Sequence, residues 1–407
     1  STLYLMILKD LSVRDKNNCT VSRFYNRVRY KMHDLFDKRE LININFDVSL
    51  VGDSEKEQYI ADAFGLGYAT KKFDIYKSFK IDLSKQIYYF TGDSGSGKSI
   101  LLGYIKERYK DSYIDFDDVQ IDKEEKLYSI CNDLNDSIRM LNMVGLGDAF
   151  LYLSQYKHIS DGQRTRYKLL KCLLSDKNII VVDEFLATLD RDTAKIVSYN
   201  LQRTLRKKFS NKKLFVATTH RDLNSYLRAD ILLTKLYGTE YTLDVRAKAD
   251  EENPFVKHCR TTLSMQKGKD LWSKRFAQFH YRGHTISFLI DIALLDYKNE
   301  PIGIIVFKSA TNKKNDIARI SRVVLLPKFR GVGISHDFLR NSCRLIFDKY
   351  PNIRAVDTVA IMTHFNPFFE KAGFENIEYK PFDYIRELKT YLESKNINFY
   401  RFRIDKS

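Results

Sequence analysis

The strongest constraint in this chain is an apolar strand that runs straight into a glycine-rich loop and then into a helix. Ile87-Tyr-Tyr-Phe-Thr91 is a continuous apolar run of strand length, and Gly92-Asp93-Ser94-Gly95-Ser96-Gly97-Lys98-Ser99 follows it directly. Such a run reads as an interior strand of a parallel sheet. Ile100, Leu101, Leu102, Tyr104 and Ile105 then recur at helical spacing. Glycines let backbone N–H groups close on phosphate oxygens at the positive end of a helix. Lys98 adds a point charge to the same oxygens, and the Ser99 hydroxyl suits Mg²⁺.

A second apolar run, Ile179-Ile-Val-Val182, delivers Asp183 and Glu184 to its C-terminal end. Asp183 is placed to hold Mg²⁺ through water, and Glu184 to orient an attacking water as a general base. Ile159-Ser160-Asp161-Gly162-Gln163-Arg164 opens a helical stretch and is a second candidate anion site. Ala187-Thr-Leu-Asp190 follows, and Thr219-His220 ends a strand at Leu214–Ala217.

In order and spacing these segments resemble the motifs of ABC-type ATPases, with Asp161 in place of the usual first glycine of the signature. The resemblance implies ATP and Mg²⁺ as cofactors, with Ser99 and Asp183 at the metal. It implies a homodimer with ATP, in which Ser160, Gly162 and Gln163 of one subunit face the phosphate loop of the other. Asp190 would lie at that seam, and His220 would contact the γ-phosphate. Phe73 or Tyr76 is a candidate for stacking on adenine, with core packing as the alternative. The short stretch between Lys98 and Ser160 implies a small helical subdomain, and Gln120 is the nearest candidate for the Q-loop. A transporter subunit is disfavoured, and ABC ATPases without a membrane partner act on DNA, RNA or ribosomes, by analogy of fold alone.

A second constellation lies in the C-terminal part. Val323-Val-Leu325-Leu-Pro-Lys-Phe-Arg330-Gly331-Val332-Gly333-Ile334-Ser335 is a strand, a glycine turn and the start of an amphipathic helix. It resembles motif A of the GNAT acetyltransferases, with Ser335 replacing the final small residue. Asn366-Pro-Phe-Phe-Glu-Lys-Ala-Gly373-Phe374 is similar to the closing segment of that family. The resemblance implies an α+β GNAT-like domain. It also implies acetyl-CoA, or another acyl-CoA, held by Val323, Leu325, Arg330, Gly331, Val332, Gly333, Ile334, Ser335 and Asn366. Phe369 stands where many members carry a tyrosine acid. His364 is a candidate replacement, its pKa range suiting the role, and a solvated loop histidine is the alternative. His280, Tyr281, Arg282 and His284, together with Ser321-Arg322, supply candidate catalytic groups, and a surface turn is the alternative. Phage Mom-type DNA modification enzymes are a loose parallel.

From about residue 60 to 380 the chain resembles a family of archaeal and viral fusion proteins, an ABC-type ATPase joined to a predicted acetyltransferase. Ala63-Phe-Gly-Leu-Gly67, Leu146-Gly-Asp148-Ala-Phe150, Leu189–Ala194, His280-Tyr-Arg282 and Ile320–Val323 carry the resemblance alongside the motifs above.

With 407 residues, 44% of them hydrophobic, the chain suits two or three globular domains. The expected division is a basic N-terminal extension at 1–65, an α/β P-loop ATPase at 66–248, and a GNAT-like domain at 249–407. The charged segment Lys248–Pro254 marks a linker. No apolar run approaches the roughly 20 residues of a membrane span. The longest, Ile286–Leu295, is broken by Asp291. Leu3–Leu8 lacks a basic flank and a cleavage site and reads as a strand rather than a signal peptide. Five cysteines without C-x-x-C spacing point to a reduced, cytoplasmic setting. The net charge of +16 fits either a nucleic acid partner or the lysine-rich bias of an AT-rich genome. The combined expectation is an ATPase coupled to acyl transfer onto a nucleic acid base. The alternatives are an ATPase-gated acetyltransferase of proteins or small amines, and a repair-like ATPase with a non-catalytic C-terminal binding module.

Overall fold

The computed structural model describes residues 28–33, 39–49, 54–65, 70–246, 252–280, 285–309, 316–358 and 368–374, with the single residues 390 and 394. Tyr281, Arg282, His284, His364 and Asn366 lie outside the described residues. So do Leu66, Gly67, positions 1–27 of the basic extension and the first part of the linker at 248–254. The chain divides into two compact units, residues 1–360 and 361–407.

The first unit opens with an antiparallel three-stranded sheet of β1 (Val28–His33), β2 (Arg39–Ser49) and β3 (Thr70–Asp82), with helix α1 (Glu55–Ala63) between β2 and β3. It then builds a six-stranded sheet. The elements are β4 (Ile87–Gly92), α2 (Lys98–Arg108), β5 (Tyr113–Asp115), α3 (Leu134–Met143), α4 (Ala149–Leu153), α5 (Asp161–Leu174), β6 (Ile179–Val182), α6 (Arg191–Lys208), β7 (Lys213–Thr218), α7 (Asn224–Leu227), β8 (Ile231–Lys235) and β9 (Tyr241–Val245). The strand order is β5-β6-β7-β4-β8-β9, parallel throughout except for β9.

The expected interior strands are buried along their whole length, β4 and β6 alike. Strands sandwiched on both faces have no reason to alternate apolar and polar residues. Tyr88 of β4 stacks on Phe215 of β7 with centroids 4.2 Å apart. The same core takes in Leu101 and Ile105 of α2, Phe79 of β3, and Ile42 and Ile44 of β2. Part of the stretch expected as a separate extension is therefore built into the core of the six-stranded sheet. Ile42 and Ile44 alternate with Asn43 and Asn45, so β2 turns one face inward.

The remaining strands of this unit form a five-stranded sheet, with α8 (Met265–Leu271) between the first two. They are β10 (Cys259–Leu263), β11 (Leu289–Tyr297), β12 (Glu300–Ser309), β13 (Ile317–Leu325) and, after helix α9 (Ser335–Lys349), β14 (Ala355–Thr358). Their order is sequential; the first three pairings are antiparallel and β13 pairs with β14 in parallel. A parallel return of this kind requires a crossover, and α9 supplies it. The β10 strand was not expected from the sequence. Asp291, which interrupts the apolar run of β11, is fully buried. It accepts from Lys349 Nζ (2.6 Å) and from the Tyr350 hydroxyl (3.1 Å), so the end of α9 neutralises it.

In the second unit, helix α10 (Phe368–Lys371) buries Phe369, whose ring lies 5.2 Å from that of Phe374.

Candidate functional site

Parallel strands deliver their C-terminal ends to one sheet edge, and the chain leaves β4 for the far side of the sheet before returning past β7 to β8. Ligands of α/β sheets bind at such an edge, where successive connections diverge. The phosphate loop ends β4, Asp183 and Glu184 end β6, and His220 follows β7, which lies between the two.

The loop takes its shape from glycines that no other residue could replace easily. Gly92 has φ +141°, and a Cβ there would fall 2.1 Å from the Lys235 carbonyl oxygen. Gly97 has φ +103°, and a Cβ would meet Ile75 Cγ2 at 2.4 Å. Gly95, at φ +76°, faces open space. Asp93, Ser94 and Gly95 are exposed, whereas Ser96, Gly97 and Lys98 are buried. Lys98 Nζ donates to the carbonyls of Gly92 (2.9 Å) and Asp93 (2.7 Å). Desolvation lowers its pKa, while the charges of Asp183 and Asp93 act to raise it. The buried Ser96 hydroxyl has no partner among the described residues. An open cradle, an unsatisfied hydroxyl and a lysine resting on carbonyls fit a phosphate group. Ser99 is exposed and Asp183 half-buried, and hard oxygen donors of this kind suit Mg²⁺.

Glu184 holds a left-handed backbone, φ +47°, which costs roughly 1–2 kcal/mol for a residue with a Cβ. Two bonds hold it there. Glu184 N donates to Asp183 Oδ1 (2.9 Å), and Phe185 N donates to the Ala217 carbonyl (2.8 Å) with Phe185 itself fully buried. His220 is fixed through its backbone: its N–H donates to Thr218 Oγ1 (3.2 Å), and its carbonyl accepts from the Tyr89 hydroxyl. Burial lowers the imidazole pKa and the Arg191 charge lowers it further.

The sequence also missed Lys235, which is fully buried beside Gly92 in the β4–β8 pairing. Its ammonium caps the carbonyls of Leu236 (2.8 Å), Gly238 (2.5 Å) and Glu240 (3.3 Å). Tyr76 is buried, with its hydroxyl 3.3 Å from the Gly97 carbonyl. It therefore packs against the loop instead of offering a face for stacking. Phe73, on the same strand, is partly exposed. Gln120 is exposed and bonds only locally, to the Asp118 carbonyl (3.4 Å).

Ser160 caps α5, its N–H donating to Gln163 Oε1 (2.9 Å). Asp190 caps α6, its Oδ1 accepting from Thr193 N (3.0 Å). The two helix starts touch: a Cβ on Gly162 would lie 3.1 Å from Thr193 Cγ2. Desolvation acts to raise the Asp190 pKa, but bonds from Thr193 and the charge of Lys328 bring it below the usual range.

The segment that resembles a coenzyme A cradle sits against these same helices. Arg330 forms an ion pair with Asp148, both side chains largely buried, and donates to the carbonyls of Gly147 (3.3 Å) and Leu325 (3.2 Å). Asn200 Nδ2 donates to the Arg330 carbonyl (3.1 Å), Arg203 to that of Gly331 (2.7 Å) and Asn253 to that of Val332 (2.8 Å). Arg166 of α5 bridges the Gly145 carbonyl (3.2 Å) and the Lys328 carbonyl (3.1 Å). Burial lowers the Arg166 pKa to about 10. Gly333 has φ +82° and abuts the Arg203 guanidinium; Val332 and Ile334 are buried, and Ser335 opens α9. Val323 and Leu325 are half-buried on β13. Arg322 donates to the Ser321 carbonyl (2.8 Å) at a register shift between β12 and β13. His280 lies with its ring 5.9 Å from that of Trp272.

No protein-family model matches the chain. A segment of 64 residues, 16% of the chain, is 39% identical to the probable peptide export ATP-binding protein YydI of Bacillus subtilis. The chain spans only 30% of the length of that relative. Among solved structures, a bacterial ABC transporter cassette determined as a dimer aligns over 42% of this chain and 91% of its own, at 14% identity and a TM-score of 0.32. A component of an ABC transporter complex from Clostridium perfringens aligns over 40% and 78%, at 16% identity and a TM-score of 0.31. Among the described residues no helix is long and apolar enough to cross a membrane. The sequence similarity to an ATP-binding protein is thus confined to that 64-residue segment.

Proposed function

We propose that the chain is an ABC-type ATPase whose five-stranded sheet is the element that its nucleotide cycle serves. One observation carries this: the phosphate loop, Asp183-Glu184 and His220 meet at a single sheet edge. Gly92–Ser99 would hold the ATP phosphates, and Ser99 with Asp183 would hold Mg²⁺. Glu184 would orient the attacking water and His220 would contact the γ-phosphate. Ser160, Gly162, Gln163 and Asp190 would complete the site from a second copy, so ATP should drive homodimerisation. The test is ATP binding and hydrolysis by the full chain beside Lys98→Ala. Nucleotide binding that survives in Lys98→Ala would contradict the assignment of the loop.

Two readings of the five-stranded sheet follow. As an acyl-CoA-dependent GNAT-like transferase it would modify a nucleic acid base, a protein or a small amine. The antiparallel strands, the parallel return through α9 and the register shift beside Arg322 support this. As a non-catalytic binding module it would need no acyl chemistry. That reading is favoured by the engagement of Arg330 with Asp148. Labelled acetyl-CoA separates them: retained label, with transfer to DNA, RNA, protein or polyamine, supports the transferase, and no retention supports the module. The charge of +16 motivates a nucleic acid partner. Salt-sensitive binding of DNA or RNA that stimulates ATP hydrolysis is the expected result.

A further inference from the structure

Three of the side chains that hold the Pro327–Gly333 loop, Arg166, Asn200 and Arg203, ride on the two helices whose first residues are the candidate nucleotide-facing motifs. Helix α5 begins at Ser160-Asp161 and carries Arg166, which donates to the Lys328 carbonyl at 3.1 Å. Helix α6 begins at Asp190 and carries Asn200 and Arg203, which donate to the carbonyls of Arg330 and Gly331. At 1.5 Å rise per residue, Arg166 lies about 9 Å along α5 from its cap, and Asn200 and Arg203 lie about 15–20 Å along α6 from theirs. A continuous helix moves as a rod, so a displacement at either cap reaches these positions without attenuation.

The loop also passes force onward. Its far end is the start of α9, whose Lys349 is bonded to the buried Asp291 of β11 at 2.6 Å. Its near end is β13, bonded into the sheet on both sides. The Asp148–Arg330 pair fastens the loop to the turn after α3, and its burial leaves neither charge another partner of equal strength.

We infer that the Pro327–Gly333 loop is the coupling element of this protein, through which ATP binding at the caps of α5 and α6 displaces α9 and the five-stranded sheet. The inference rests on ATP binding at the Gly92–Ser99 loop and would hold for either reading of the sheet. Arg166, Asn200 and Arg203 grip loop carbonyls, so the seam depends on backbone geometry as much as on side-chain chemistry. By linkage, whatever occupies the sheet must change ATP affinity by the same factor that ATP changes its own.

Hydrogen exchange on the full-length Glu184→Gln chain, with and without Mg·ATP, tests this. ATP should change exchange in the peptides covering residues 327–340 by about fivefold or more, the lower range of measured coupling free energies. In Glu184→Gln combined with Asp148→Asn and Arg203→Gln, that change should shrink while ATP affinity, measured on the same samples, stays within about twofold. Arg203→Lys, which keeps one donor, should restore part of it. No ATP response in 327–340 of a parent chain that binds ATP would overturn the inference, whatever the variants do. An undiminished response after both contacts are removed would overturn it as well. Failure of the parent to bind ATP would instead count against the assignment of the phosphate loop.

Discussion

Gly145 and Gly331 stand back to back across the seam between the turn after α3 and the loop that leads from the five-stranded sheet into α9. A Cβ on Gly331 would lie 2.9 Å from Gly145 Cα, and one on Gly145 would lie 2.4 Å from the Arg330 carbonyl oxygen. Both have positive φ, +82° and +85°. Two backbones can approach this closely only where neither carries a side chain. Gly145→Ala and Gly331→Ala should each lose about 2–5 kcal/mol, the sum of left-handed strain and overpacking. Gly95→Ala, at φ +76° but facing open space, should lose only about 1–2 kcal/mol. Urea denaturation of the three variants gives the ranking, and equal losses would mean that the seam is not packed this tightly.

The Asp148–Arg330 pair should behave as a coupled unit. Asp148→Leu or Arg330→Met alone strands a charge in a site where both side chains are largely buried. Each single change should cost about 3–5 kcal/mol, and the double change distinctly less than the sum, because no unpaired charge then remains. Additive losses in the double-mutant cycle would mean that the two side chains do not interact.

Glu184→Gln should leave ATP affinity intact and lower kcat by about 10²–10⁴, the usual range for removing a general base. With hydrolysis blocked, ATP should hold the chain as a dimer in analytical ultracentrifugation. A variant that binds ATP yet remains monomeric would contradict the two-copy arrangement of Ser160 and the phosphate loop.

His220 should titrate below its usual range, because burial first and the Arg191 charge second disfavour the imidazolium. The sign follows from linkage. With the folded pKa below the ordinary histidine value of 6.5, the unfolded chain binds more protons as pH falls through that value. Any stability tied to the neutral ring is complete above about pH 6.5 and declines as pH drops toward the folded pKa. NMR titration of the imidazole checks this directly. Arg191→Gln should raise the His220 pKa without returning it to 6.5, since burial remains, and a pKa at or above 6.5 in the parent chain would refute the account.

Much of the candidate nucleotide site is readable from spacing in the sequence. The apolar runs at Ile87–Thr91 and Ile179–Val182 could only be interior strands, and the residues after them had to emerge at one sheet edge. The positions of Lys98, Asp183 and His220 were therefore legible from spacing alone. So was the helix start at Ser160, because a cap and its Gln163 partner are three residues apart. β13 and the start of α9 are readable in the Val323–Ser335 motif, whereas β10 leaves no apolar run, because Cys259–Leu263 is polar and only partly buried.

Contacts between distant segments set the rest. Leu146–Phe150 and Arg330–Gly333 were both visible as motifs, yet nothing in either indicated that Asp148 and Arg330 are partners. They are far apart in sequence, and a long-range pairing leaves no periodic trace. The buried lysine Lys235 was hidden for a related reason: the three carbonyls that satisfy it exist only once the β8–β9 turn has closed. Tyr76 went to the core and Ile42 joined the cassette because side chains are sorted by the volume that the other strands leave open. Local sequence fixes what a segment can become, and packing between distant segments settles which of its faces is used.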